Sequence, residues 1–262
     1  MSNYDRNAYA QFGGVSRAGT AEYDLGLRSY MLGIYNYMTL ALAVSAMVAW
    51  GVAMMAVTND PSAAAAKFGA NTYLTSFGYA IFASPLKWVV MLAPLAFVFF
   101  LSFRFDRMSQ SALFGTFLAF AATMGLSMGS IFLVYTTASI VQALFITTAA
   151  FGALSLYGYT TKRSLSAMGS FLIMGLFGVI LAGLANLFFQ SSVFQLAINV
   201  VAILIFAGLT AWDTQRLKGE YDVVAGDAAL MQKASVMGAL SLYLNFINMF
   251  QLILSFVGNR NE

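Results

Sequence analysis

Seven long apolar stretches follow one another along the chain, separated by polar segments that are mostly short. A helix that crosses the hydrocarbon core of a bilayer needs about 20 mostly apolar residues. The stretches that approach or exceed this length predict seven transmembrane helices, over 31–57, 86–103, 112–135, 140–159, 167–189, 194–212 and 236–257. Because the connections between most of them are short, neighbouring helices are predicted to run antiparallel in one bundle. The predicted fold class is therefore an all-α membrane protein.

Two polar segments near the N-terminus carry predictions of their own. Residues 1–24 mix charges with glycine and lack the basic-then-apolar pattern of a secretory signal, which indicates a mobile cytoplasmic tail. Residues 25–262 are then a single transmembrane domain. Between the first two spans, residues 59–85 contain an alanine run and a stretch of mixed polarity, which predict an amphipathic segment at the membrane interface.

The composition narrows the classes of function. Apolar residues make up 60% of the chain and charged residues 9%, against about 25% charged in typical soluble domains. Cysteine and histidine are both absent, which excludes Ser-His catalysis, thiolate nucleophiles and the usual zinc or haem ligands. We therefore expect no enzymatic activity, no catalytic residue, no bound metal and no cofactor. A net charge of only +3 gives no indication of nucleic-acid binding.

The distribution of Lys and Arg predicts an orientation, because short cytoplasmic loops carry an excess of these residues. Ten of the 13 lie on one side of the predicted helices. They are Arg6, Arg17, Arg28, Arg104, Arg107, Lys162, Arg163, Arg216, Lys218 and Lys233. This bias places the N-terminus in the cytoplasm and the C-terminus outside.

One acidic residue, Asp213, lies at the end of an apolar span, in the string AWDTQRLK. An ionisable side chain at membrane depth usually faces a cavity or a partner, which makes Asp213 a functional candidate. The alternative is that Asp213 lies in water at the cytoplasmic interface, paired with Arg216 or Lys218 at helical spacing. Position in the sequence favours neither reading.

The seventh span carries a stripe of polar side chains, Ser241, Asn245, Asn248 and Gln251. Their spacing of three or four residues places them on one face of a helix. Such a stripe is expected to face the protein interior. Hydrogen bonds between helices explain it, and so does a water-filled path lined by these side chains.

The string AWDTQRLK, followed after an acidic loop by ALSLYLNFINMF, closely resembles the signature of the Bax inhibitor 1 family, also called the YccA-like family. The resemblance runs from about Asp24 to the C-terminus, and SPLKWVVMLAPLAFVFFLSFRFDRMS is similar to its bacterial members. It implies six helices around a central seventh, in a bacterial inner membrane. Bacterial relatives are described as pH-sensitive calcium leak channels. The YccA-like branch of the family is linked to the regulation of a membrane-anchored ATP-dependent protease.

The resemblance also implies roles for individual residues. In the family pattern two aspartates on the last two helices share a proton as a pH sensor, and an arginine on the second helix latches one of them. Asp213 falls on the first aspartate position, but Asn245 occupies the second. Because an amide offers hydrogen bonds and no second titration, we expect no coupled sensor in this chain. Arg107 is the candidate for the latch, with Arg104 as the alternative.

Two functions therefore remain open. The first is a leak channel for calcium or protons, lined by the polar stripe and closed by Asp213 and an arginine. The second is a regulatory protein that acts on a membrane-bound ATP-dependent protease, which would engage the flexible N-terminal tail. The lipid bilayer is the remaining expected partner.

Overall fold

A computed structural model describes residues 3–67, 73–104 and 107–259, without the side chains of 3–21 and of Ala63. The α-helices of these ranges, numbered in chain order, are α1 (Asn3–Ala56), α2 (Ser76–Gly78), α3 (Leu86–Arg104), α4 (Gln110–Met128), α5 (Ile131–Val134), α6 (Thr137–Thr160), α7 (Ser166–Phe189), α8 (Ser192–Val224) and α9 (Ala228–Val257). Seven helical segments of the described chain are long and apolar enough to cross a membrane. The prediction of an all-α membrane protein is confirmed.

Three helices extend beyond their predicted limits. α8 continues to Val224 instead of ending near 212, and α9 begins at Ala228 instead of 236. The polar end of α8 stays helical because Leu217, Tyr221 and Val224 recur at helical spacing and are buried. The first span is also longer than predicted, since its apolar segment covers Glu22–Ala56 within α1. The mobile tail predicted over 1–24 falls largely on residues whose side chains are not described, and it stays a prediction.

The segment between the first two spans contains short strands that the sequence did not predict. β1 (Val57–Thr58), β2 (Ala66–Lys67) and β3 (Tyr73–Leu74) form an antiparallel sheet in the order β1-β3-β2. α2 follows β3 and passes into a π-helical turn, Tyr79–Ala83. This segment covers the end of α1, because the Thr75 N–H donates to the Ala56 carbonyl over 3.0 Å. Its place at a membrane interface stays a prediction.

α9 is the central helix of the bundle. Within its apolar window 56% of residues are buried, against 6% for α7. α1, α4, α6 and α8 pack directly on α9, while α3 packs on α4 and α7 on α8. The predicted arrangement around a central last helix is therefore observed, with α3 and α7 in an outer position.

Side-chain caps define where several helices begin. Ser109, Thr136 and Ser191 each accept a hydrogen bond from a backbone N–H in the first turn of α4, α6 and α8. Asp227 accepts two such bonds, from Ala229 and Leu230, at the start of α9. These caps satisfy donors that a helix leaves unpaired at its N-terminus, whereas α7 begins after Leu165 without a side-chain cap.

A proline inside α3 leaves one backbone carbonyl free to accept a hydrogen bond from the neighbouring helix α4. Pro94 has no N–H, which leaves the Val90 carbonyl without its usual helical donor. The Ser127 hydroxyl of α4 donates to that carbonyl over 2.5 Å. Such a bond replaces the missing one in a medium where water is not available.

One glycine allows close packing of α6 against α8. A Cβ at Gly158 would collide with the backbone carbonyl of Ala211, two residues before Asp213. Small residues of this kind let helix backbones approach each other in membranes. The approach at Gly158 therefore helps to determine where Asp213 lies.

Candidate functional site

Asp213 lies inside α8, not at its end. Eleven residues separate it from Val224, a distance of about 16 Å at the rise of an α-helix. Asn245 lies 12 residues before Val257 on α9, about 18 Å from that helix end. Only 7% of the Asp213 surface is exposed and 5% of that of Asn245. The interpretation of Asp213 as a side chain in water is therefore wrong, whereas its position relative to the membrane interface stays a prediction.

Both carboxylate oxygens of Asp213 accept hydrogen bonds. Asn245 Nδ2 donates to Oδ2 over 2.8 Å. Arg216 donates to Oδ1 from Nε over 3.1 Å and from Nη2 over 2.7 Å. A carboxylate withdrawn from water needs such donors, because an unpaired buried charge is costly. The three side chains form a closed contact between α8 and α9, which we call the Asp213 cluster.

Arg216 connects this cluster to the protein surface. Its side chain is 40% exposed and its Nη1 lies 4.0 Å from Glu220 Oε2. The guanidinium lies 5.4 Å from the ring centroid of Trp212 and reaches Ser241 Oγ over 3.4 Å. Arg216 thus covers Asp213 on the side from which water would arrive.

The two arginines expected to latch Asp213 are elsewhere in this conformation. Arg104 is the last residue of α3, Arg107 follows shortly after it, and both are exposed. The arginine within hydrogen-bond distance of Asp213 is Arg216, three residues along the same helix. Sequence reasoning had named Arg216 only for the solvated alternative, where a pair at this spacing is weak. The sequence therefore predicted the pairing of Arg216 with Asp213 but not the burial of the Asp213 carboxylate.

The polar stripe of α9 divides into two parts. Ser241 and Asn245 face the Asp213 cluster. Asn248 and Gln251 line a cavity of about 520 Å³ among α3, α4, α5 and α9. Asn248 Nδ2 donates to the Leu244 carbonyl of its own helix. Hydrogen bonding between helices therefore explains Ser241 and Asn245, while a water-filled path along Asn248 and Gln251 stays a prediction.

Serine residues of the cavity wall come from the neighbouring helices. Ser127 and Ser130 lie at the end of α4 and in the break before α5, and the cavity also reaches Pro94 of α3. Hard cations are coordinated by oxygen atoms, including those of hydroxyl and amide groups. The cavity is thus polar along one wall and apolar along the rest.

Two further polar contacts join the helices around this site. Tyr243 and Ser45 share a hydrogen bond of 2.6 Å, and Ser45 donates to the Ala121 carbonyl over 2.7 Å, which connects α9, α1 and α4. Ser155 contacts Thr214 over 3.0 Å and also the Tyr35 hydroxyl. Sequence reasoning missed these partners because a lone Ser or Thr in an apolar span also bonds to its own helix.

The acceptor set at the Asp213 cluster limits what it can hold. Stable calcium sites in proteins supply roughly six to eight oxygen ligands, and several of these oxygens are charged. The cluster offers one carboxylate, and its charge is already paired with Arg216. Within the described part of the chain no group of three or more His, Cys, Asp or Glu side chains could hold a metal. The cluster therefore offers too few oxygen ligands for a stable calcium site among the described residues.

Comparison with known proteins agrees with the resemblance of the last two helices. Residues 27–262 match the family described as inhibitor of apoptosis-promoting Bax1. An uncharacterized protein of Caulobacter vibrioides is 39% identical over the full length of both chains. The inner membrane protein YbhL of Escherichia coli is 38% identical over 90% of this chain and 93% of its own. The Rickettsia prowazekii protein RP147 is 38% identical over 92% of this chain and 93% of its own. The chain therefore belongs to the Bax inhibitor 1 family of multi-pass membrane proteins.

Proposed function

We propose that this protein is a cation leak pathway, with calcium as the principal ion, that is closed in the present conformation. The observation that carries the proposal is the Asp213 cluster, in which the only carboxylate buried mid-helix among the described residues is tied to both α9 and Arg216. A buried carboxylate at membrane depth favours an ion or proton pathway over a purely structural role.

One half of the polar stripe on α9 lies at the proposed entrance of the pathway, and the other half lies at its proposed closure. The 520 Å³ cavity beside Asn248 and Gln251 is the proposed entrance. The Asp213 cluster, one helical turn further along α9, is the proposed closure. A cation that enters must replace Arg216 at the carboxylate, because the two positive charges compete for one partner.

A single carboxylate limits how pH acts on the pathway. Asn245 has no proton to exchange at this position, so the site combines one carboxylate with one amide. We therefore propose no coupled pair of carboxylates at this site. The inner membrane of a bacterium, as the name of YbhL gives for that relative, is the proposed location.

Proteoliposomes loaded with a calcium indicator test the pathway. We expect Arg216→Gln to raise calcium entry by about tenfold. This change corresponds to destabilising the closed state by ~1.4 kcal/mol relative to the open state. Asp213→Asn should reduce entry towards that of empty vesicles, because the carboxylate that receives the cation is gone. Arg163→Gln, an exposed arginine in the connection between α6 and α7, is the control with the same loss of charge.

Opposite effects of the two substitutions are the decisive result. If wild-type protein passes no more calcium or protons than empty vesicles between about pH 5 and 8, the window around ordinary carboxyl and imidazole titration, the leak proposal fails. Equal calcium entry in the Arg216→Gln and Arg163→Gln variants would also contradict it.

The absence of a second carboxylate favours one other candidate, a regulator of a membrane-bound ATP-dependent protease. Asn245 makes a fixed contact with Asp213 and removes the paired titration that the leak family uses. In this alternative the N-terminal tail is engaged by the protease. Deletion of residues 1–22 should then abolish the effect on proteolysis while calcium entry in vesicles stays unchanged.

A further inference from the structure

A long apolar groove runs along the outside of the bundle, away from the Asp213 cluster. It lies between α1 and α6, has α9 at its floor and encloses about 1030 Å³. Phe246, Ile247 and Phe250 of α9 form much of that floor. Leu32 and Leu156, on the two rims, are exposed. The groove is thus open to the surroundings of the bundle and apolar along its length.

The groove is long enough to hold an acyl chain along the bundle. On α1 its lining runs from Arg28 to Ala49, 21 residues or about 32 Å at the helical rise. A bilayer core is about 30 Å thick, so one leaflet spans roughly half the groove. On α6 the lining runs from Ile140 to Tyr159 in the opposite direction. The groove is therefore aligned with the direction in which lipid tails lie.

One end of the groove is cationic. Arg28 lies at this end, exposed, and forms no ion pair among the described residues. The ammonium of Lys218 lies 4.9 Å from the ring centroid of Tyr159, which is also part of the lining, and donates to the Tyr159 carbonyl over 3.0 Å. Arg28 and Tyr159 both line the groove, and Lys218 lies against Tyr159, so this end of the groove is complementary to an anionic headgroup above its tail.

We infer that this groove binds one anionic phospholipid, with an acyl chain on the α9 floor and its phosphate at Arg28 and Lys218. The shape of the groove supports a lipid occupant, because Phe246 and Phe250 of the central helix line it between the exposed Leu32 and Leu156. The groove shares only Met128, Ile131 and Ile247 with the lining of the proposed leak entrance, and the binding measurement below involves no ion flux.

Native mass spectrometry of the full chain, released from detergent after addition of a defined lipid, tests the inference. The probes are dioleoyl-phosphatidylglycerol, which is anionic, and dioleoyl-phosphatidylcholine, which has the same tails and no net charge. We expect wild-type protein to bind one phosphatidylglycerol with about tenfold preference, since each Lys or Arg close to anionic lipid adds to binding. Equal binding of the two lipids would overturn the proposal.

Two variants separate the headgroup from the tail. Arg28→Gln changes an exposed side chain and should remove most of the preference for phosphatidylglycerol, with a smaller loss of phosphatidylcholine binding, because that lipid carries the same phosphate beside a compensating cation. Gly152→Phe places a ring into open space in the groove and should weaken binding of both lipids. The matched controls are Arg163→Gln, an exposed arginine away from the groove, and Gly178→Phe, at another glycine with open space, on α7.

Three results would contradict a lipid site. The first is an Arg28→Gln variant that keeps the preference of the Arg163→Gln control. The second is a Gly152→Phe variant that binds both lipids as well as Gly178→Phe does. The third is a dimer mass that Gly152→Phe abolishes, because a second copy of this chain would then be the occupant. Circular dichroism confirms the helical fold of each variant before it is compared.

Discussion

Asn245 on α9 donates a hydrogen bond of 2.8 Å to Asp213 on α8. The contact joins the central helix of the bundle to its neighbour, and both residues are buried. An amide makes this bond without titrating, whereas a second carboxylate could make it only by holding a proton. In this chain the hydrogen bond between the last two helices therefore joins one carboxylate to one amide.

Replacing Asn245 by aspartate should create a site that holds a proton. Two carboxylates in contact do not both ionise readily, so the folded Asn245→Asp variant binds a proton that the unfolded chain releases. Its stability should be highest at low pH and should fall as pH rises, because the native state then holds more protons than the unfolded state. Thermal unfolding in detergent between about pH 5 and 8 measures this.

The control for that variant is Asn248→Asp, on the same helix and one turn away. Asn248 donates to a backbone carbonyl and faces the 520 Å³ cavity, so a carboxylate there lies apart from Asp213. A smaller decrease of its unfolding temperature with pH is expected. Equal pH dependence of the two variants would show that contact with Asp213 is not the cause.

Removing the Asn245 donor should destabilise the fold. Asn245→Leu leaves Oδ2 of Asp213 without the hydrogen bond that it has now, at a cost of about 1–3 kcal/mol for a buried unsatisfied acceptor. The cost should become smaller in an Asp213→Leu background, where the acceptor is gone. Unfolding free energies of the two single variants and the double variant, measured in bicelles, give the coupling. Additive effects would argue against an energetic contact.

The close approach at Gly158 predicts a contrast between two glycines of α6. Gly158→Ala puts a methyl group against the Ala211 carbonyl, which should cost about 1–3 kcal/mol through separation of α6 from α8. Gly152→Ala meets open space and should be neutral or stabilising by up to about 1 kcal/mol, because alanine favours a helix. Thermal unfolding in detergent compares the two. Equal losses would contradict the proposed packing.

Removal of the Tyr243 hydroxyl should lower the free energy of unfolding by a small amount. Tyr243→Phe removes the 2.6 Å hydrogen bond to Ser45 without removing the ring that packs against Phe117 and Phe120. Since interhelical hydrogen bonds in membranes average about 0.6 kcal/mol, we expect a decrease in unfolding free energy of that size. Tyr157→Phe, at an exposed tyrosine of α6, should have no effect. A loss no larger than that of Tyr157→Phe would make the Ser45 contact energetically irrelevant.

The sequence by itself determined that the chain has seven helices long and apolar enough to cross a membrane. Long apolar stretches can satisfy their backbone groups in lipid only as helices, so length and hydropathy were sufficient for α3, α6 and α7. The signature around Asp213 was sufficient for the family. The orientation derived from Lys and Arg stays a prediction.

Only the tertiary structure decided what Asp213 contacts. The charges at the end of α8 suggested a solvated helix end, but burial of Leu217, Tyr221 and Val224 continues the helix past them. The division of the α9 stripe was also undetermined, because helical spacing places four side chains on one face without showing which neighbour each one meets. Asn245 meets Asp213 because close packing of α6, α8 and α9 brings them together, and such contacts between distant segments leave no local pattern in the sequence.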